Sequence, residues 1–155
     1  MNKEYSVLLL PGWQNSDADH WQSRWEQAHG YQRVQQHNWQ QPLRGDWTVQ
    51  LNEAVLAAPT AVVLVAHSLG CILTAWWARH APPAVVGKVQ AVVVGSQNDP
   101  YCRLARAQQL AADWGAQWVD AGAAGHINSA SQLGDWPQGH ALLQDLVKDS
   151  VHGKR

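Results

Sequence analysis

The chain has 155 residues, 46% of them hydrophobic, which is enough apolar material for a sizeable core in one domain. Its 11 lysines and arginines are scattered among 12 acids for a formal net charge of −1, which argues against a nucleic-acid-binding patch or a polybasic membrane anchor. A small molecule or peptide is the expected partner, with no nucleic acid and no membrane.

In chain order, short β-branched and aliphatic runs alternate with longer amphipathic ones, the pattern of an α/β domain built on a parallel sheet. The first strand is expected over Tyr5 to Leu10. The residues before it include Glu4, and the apolar run is too short for the hydrophobic region of a signal peptide. The loop that follows, Pro11 to Ala18, leads into a helix expected over Ala18 to His29, with Ser16 a candidate cap. Trp21 and Trp25 stand four apart, the spacing of a buried helix face. A second strand is expected over Tyr31 to Gln35 and a helix over Trp47 to Ala57.

The third strand, Ala61 to Ala66, is apolar at every position, as a central strand covered on both faces should be. A helix over Leu69 to His80 follows. Beyond it come a strand over Val89 to Gly95, a helix over Arg103 to Trp114, a strand over Gln117 to Asp120 and a helix over Gly139 to Lys148. Pro42, Pro59, Pro82, Pro83 and Pro137 fall between these elements, where proline interrupts neither a helix nor a ladder. Residues 1 to 150 are expected to form the single domain and Val151 to Arg155 a short tail. No run approaches the roughly 18 apolar residues of a membrane-spanning helix. Two cysteines, Cys71 and Cys102, provide neither a disulfide framework nor metal-ligand spacing, which fits a reduced, cytoplasmic protein.

The turn between the third strand and its helix reads "VAHSLGC". A serine in a sharp strand-to-helix turn needs small neighbours two residues away, and Ala66 and Gly70 flank Ser68 in that way. Such a turn holds the hydroxyl at the C-terminal edge of the sheet, beside helix N–H groups that favour a developing negative charge. A serine that merely caps the helix is the bland alternative. A serine nucleophile needs a base, and the base an orienting carboxylate, on loops after later strands in the order serine, acid, histidine. Asp99 follows the fourth strand and His126 stands in a small-residue loop after the fifth. Asp120 is a rival acid at a strand end. His67 occupies the variable position of the turn and is expected to pack rather than catalyse.

The loop after the first strand should complete the oxyanion hole. Gly12 allows close approach, and the N–H of Trp13 or Gln14 would join that of Leu69. Gln14, His20 and Trp21 would then lie near the entrance as substrate-binding residues.

Taken together, "PGWQNSDADHWQSRWE", "VAHSLGC", "GSQNDPYC" with "RAQQLAADWGA", and "AGHINSASQLGDWPQG" resemble the small α/β-hydrolase family that includes retinoblastoma-binding protein 9 and many bacterial relatives. The resemblance runs from the first strand to the last helix. It implies a three-layer α/β/α sandwich with a mainly parallel sheet and no separate cap domain. It also implies a serine hydrolase of carboxylesterase or peptidase type, acting on a small acyl ester or amide without metal or cofactor, whose triad carries over as Ser68, Asp99 and His126. The family's association with a protein partner keeps a second reading open, a binding module whose triad is idle.

One departure stands out. The family places a further strand and loop between the elbow helix and the strand carrying the acid, whereas here His80 to Gln90 runs straight into Ala91 to Ser96. On the order of 30 residues, about one strand plus its crossover, are missing from the pattern. A gap in a sheet leaves buried backbone groups without partners, so a break in the chain between Gln90 and Ala91 is the expectation, with a sheet that has dispensed with one strand as the alternative.

Overall fold

In the computed structural model, residues 4–87 and 89–152 are described. They fall into two compact units, one ending at Val86 and the other beginning at Gly87, taken in turn.

The first unit contains β1 (Tyr5–Leu10), α1 (Trp21–His29), β2 (Gln32–Arg33), α2 (Arg44–Ala57), β3 (Ala61–Ala66), α3 (Leu69–His80) and the short α4 (Pro83–Val86). Its three strands are parallel in the order β2-β1-β3. β1 is therefore the central strand, and Val7, Leu8, Leu9 and Leu10 are all buried. β3 pairs in register with β1 from Tyr5↔Ala61 to Leu10↔Ala66. The expectation of a fully covered β3 fails, because the strand lies at the edge of this sheet and Val62 to Ala66 are only half-buried. All-apolar composition records what a strand can bury, while the number of neighbours decides what it does bury. Leu8, Leu10, Val34, Trp47, Leu51, Leu73 and Trp77 make a continuous core that joins β1 to α2 and α3.

The second unit contains β4 (Val92–Gly95), α5 (Leu104–Asp113), β5 (Gln117–Asp120), a 3₁₀ turn at Ser129–Ser131 and α6 (Pro137–His152). β4 and β5 are parallel, from Val92↔Gln117 to Gly95↔Asp120. Glycine is required at Gly95, since an added Cβ would run into the Trp118 ring and stand 3.1 Å from Ala107 Cβ. α6 begins at Pro137 rather than after it. Proline suits the first helical position, where its fixed φ is already helical and its missing N–H would have had no partner. The helix runs on to His152, into the stretch expected as a tail, and Gly153 to Arg155 lie outside the described residues.

At the junction where a break is expected, Gln90 precedes Ala91, whose carbonyl accepts the Gln117 N–H at 2.9 Å and leads directly into β4. Val89 to Val94 is not one strand, because regular pairing starts only at Val92. Among the described residues β3 pairs with β1 alone and β4 with β5 alone. No helix among the described residues is long and apolar enough to cross a membrane.

Candidate active site

The first unit carries the serine. Ser68 joins β3 to α3 with φ 54° and ψ −122°, a conformation sparsely populated for any residue with a side chain. Its side chain makes no capping bond to the helix, which removes the bland alternative to the nucleophile reading. Close packing holds the turn. His67 N–H donates to the Leu10 carbonyl at 3.0 Å, and Gly70 N–H donates to the His67 carbonyl at 2.9 Å. An added Cβ at Gly70 would collide with the Leu10 carbonyl and lie 3.0 Å from that of Pro11. Helix propensity alone would favour Gly70→Ala by about 1 kcal/mol, but the backbone it meets cannot move aside. The expected outcome is a net loss of about 1–3 kcal/mol, the usual cost of overpacking, read as a lower denaturation midpoint.

The loop after β1 lies against this turn. A Cβ added at Gly12 would stand 2.9 Å from Ser68 Cβ and 3.1 Å from Leu69 N, so only glycine lets the loop approach so closely. Gln14 and Asn15 both have positive φ, 65° and 66°. The Gln14 N–H is committed to the Trp39 carbonyl at 3.0 Å, which leaves Trp13 as the candidate donor of this loop. Trp13 and Gln14 are exposed, and the Trp13 indole N–H donates to the Gln40 carbonyl at 3.1 Å.

His20 and Trp21 are a different case. Both are 4% exposed, and the His20 ring packs 4.7 Å from His67 and 5.3 Å from Trp21. His20, not Ser16, caps α1, its Nδ1 accepting the Gln22 N–H at 3.1 Å. Their expected place at the entrance is thus corrected to a buried layer next to the elbow. Apolar spacing at Trp21 and Trp25 marked a buried face, and the histidine preceding it is buried with them.

The second unit brings Asp99 and His126 together. His126 Nδ1 is 3.0 Å from both carboxylate oxygens of Asp99, with the two side chains 16% and 12% exposed. A carboxylate can only accept, so Nδ1 carries the proton and Nε2 is the basic nitrogen. Asp99 also accepts the Tyr101 N–H at 2.9 Å, and the exposed Tyr101 ring lies 4.6 Å from that of His126.

The loops bearing this pair are tied to each other. Ser96, 2% exposed, accepts the Ala124 N–H at 2.9 Å, Asn98 accepts the Gly125 N–H at 2.7 Å, and Gln97 N–H donates to the Gly122 carbonyl at 2.8 Å. Ile127, next to the histidine, has φ 52°, an outlier for a β-branched residue. Gly125 before it is also left-handed at φ 58°. Ser96 and Asn98 were not singled out in the sequence, although their place after a strand and before an acid was available as a signal.

The rival Asp120 is engaged elsewhere. Its carboxylate accepts from the Gln97 amide at 3.0 Å and the Gly122 N–H at 2.8 Å, and these bonds, Gln97 first, hold its carboxyl below the ordinary aspartate value. Burial, and then the charge of Asp99, push the Cys102 thiol up, the opposite of what a nucleophilic cysteine needs. Among the described residues no group of three or more His, Cys, Asp or Glu is placed to hold a metal ion.

Solved structures show where this architecture recurs. A YdeN-like hydrolase from Pectobacterium atrosepticum matches over 94% of this chain and 91% of its own, with a TM-score of 0.86 and 27% identity. The ydeN gene product of B. subtilis matches over 94% of this chain and 100% of its own, with a TM-score of 0.77 and 19% identity, a likeness of fold alone. The fold is accordingly that of the α/β hydrolases, with parallel strands and helices in each unit. No curated protein sequence matches the chain. The serine hydrolase family model matches residues 7–89 and 80–145, two stretches that overlap over 80–89, where the sequence departs from the family pattern. With β1 from Val7 onward, the elbow, the acid loop and the histidine loop inside those matched stretches, the chain belongs to the serine hydrolase family.

Proposed function

We propose that this hydrolase cleaves small acyl esters or amides through Ser68, His126 and Asp99, within the branch of the family that includes retinoblastoma-binding protein 9. The observation that carries the reading is the backbone of Ser68, held at φ 54° with the Gly12 loop packed against it, a strain that serves an exposed nucleophile and has no use in a capping residue. His126 Nε2 takes the Ser68 proton as Oγ bonds to the substrate carbonyl carbon. Asp99 steadies the imidazolium, and the N–H groups of Leu69 and Trp13 receive the oxyanion. Collapse of the tetrahedral intermediate expels the alcohol or amine, which takes the proton from His126, and water then releases the acid by the same route. Gln14, exposed beside Trp13, is the remaining candidate contact for substrate on this loop. A fluorophosphonate probe tests the reading. Labelling of the wild type and none of Ser68→Ala supports it, and no labelling of folded wild type overturns it. Hydrolysis of a panel of p-nitrophenyl esters and aminoacyl amides then separates esterase from peptidase.

The acid is tested in the same assay. Asp120→Asn is expected to retain far more activity than Asp99→Asn, since Asp120 serves the Gln97 and Gly122 bonds and Asp99 the histidine. The reverse order of rates would move the acid to Asp120.

The family's association with a protein partner favours one second reading, a protein-binding module with an idle triad. Failure of a well-folded wild type to react with the probe is the result that would support it.

A further inference from the structure

Gln22 is completely buried, yet it is polar and sits in α1, away from the serine in sequence. Its Nε2 donates to the Leu10 carbonyl at 3.3 Å and to the Val65 carbonyl at 3.1 Å, while its Oε1 accepts the Ser16 hydroxyl at 2.7 Å. Leu10 ends β1 just before the Gly12–Trp13 turn, and Val65 lies three residues before Ser68 in β3. Ser16 belongs to the loop that carries Trp13. One carboxamide therefore ties together the two strand ends, and the loop, from which the two oxyanion donors emerge.

The amide is itself held. Its own backbone N–H donates to His20 Nδ1 at 3.1 Å. Around the same loop, the Arg33 guanidinium, 9% exposed, donates to Asn15 Oδ1 and the Ser16 carbonyl, both at 2.8 Å, and pairs with Glu26 at 2.7 Å. Buried amides have few ways to satisfy three bonds at once, so this one has a single orientation.

We propose that Gln22 is a positioning residue for the hydrolase reaction, its buried carboxamide setting the separation of the Trp13 and Leu69 N–H groups. This rests on the proposed Ser68 chemistry. Oxyanion donors act through fixed geometry, and a displacement of about 1 Å can cost about 10²-fold in rate. Gln22→Met keeps the length of the side chain and removes all three bonds. The experiment measures kcat per fluorophosphonate-titrated site, KM for a p-nitrophenyl ester, and the melting temperature, with Leu51→Ala as a buried control that loses core packing far from the strand ends in sequence. Gln22→Met is expected to lose about 10- to 100-fold in kcat per titrated site with KM little changed, the range of a misplaced or missing oxyanion donor. Leu51→Ala should lose melting temperature and keep kcat per site.

Gln22→Glu supplies an independent readout. Its ionised carboxylate has no proton for the Leu10 and Val65 carbonyls, whereas the protonated acid regains one donor. The ratio of its kcat to that of wild type should therefore fall as pH rises, and this holds even where Gln22→Met does not fold. Wild-type kcat per site in Gln22→Met, or a pH-independent ratio in Gln22→Glu, overturns the role of Gln22 while leaving the triad intact. An inert wild type, unlabelled by the probe, overturns the Ser68 chemistry and the role of Gln22 with it.

Discussion

Ser68→Ala and His126→Ala are each expected to lose roughly 10³ to 10⁶ in kcat, and the double variant little more than either alone. The reason lies in the division of labour. A serine hydroxyl is a poor nucleophile until a base accepts its proton, so removing either partner abolishes the same step, and removing the second has nothing further to abolish. In the proposed mechanism the residual rate over water comes from the Leu69 and Trp13 N–H groups, which neither substitution touches. Steady-state kinetics on a p-nitrophenyl ester measure all three variants, with folding checked by circular dichroism. Losses that add in free energy would show that Ser68 and His126 act independently, and the catalytic assignment would fail.

Asp99→Asn should leave the fold intact and lower kcat by about 10⁴. With the carboxylate present, Nδ1 must be the protonated nitrogen, as the 3.0 Å distances to both oxygens require. An amide at this position can present its NH₂ group to Nδ1 and stabilise the opposite tautomer, with the proton on Nε2 and no base left for the serine. Partial recovery is expected as pH rises far enough for serine to ionise without help. An Asp99→Asn variant with wild-type kcat at neutral pH would show that the pair is structural. The Tyr101 N–H bond to Asp99 does not depend on the charge, since an amide oxygen also accepts it, so loss of loop order is not the expected cause of the defect.

Much of this was legible in the sequence because it depends on local chemistry. The bounds of β1, β3, α3 and β5 follow from apolar runs ended by turn residues, and the observed elements match them. Small residues around Ser68 specify a sharp turn whatever lies beyond it, since Gly70 needs glycine only to pass the Leu10 carbonyl. Asp99 and His126 were found by chain order, and their 3.0 Å contact is the geometry that order anticipates.

What tertiary structure alone decided is partnership. An all-apolar β3 carries no mark of how many neighbours it has, and it proved to be an edge strand with half-buried side chains, while β1 took the central place. Likewise His20 and Trp21 look like entrance residues beside a loop until burial places them in a packed layer with His67. Gln22 and Arg33 are polar residues that sequence patterning assigns to a surface. Their burial follows from carbonyls and hydroxyls supplied by β1, β3 and the loop at Asn15 and Ser16, partners up to 43 residues away in the chain. A hydrogen bond's donor is encoded locally, but its acceptor is chosen by the fold, so the sequence by itself determined the chemistry of this protein's candidate groups, and the tertiary structure decided which of them meet.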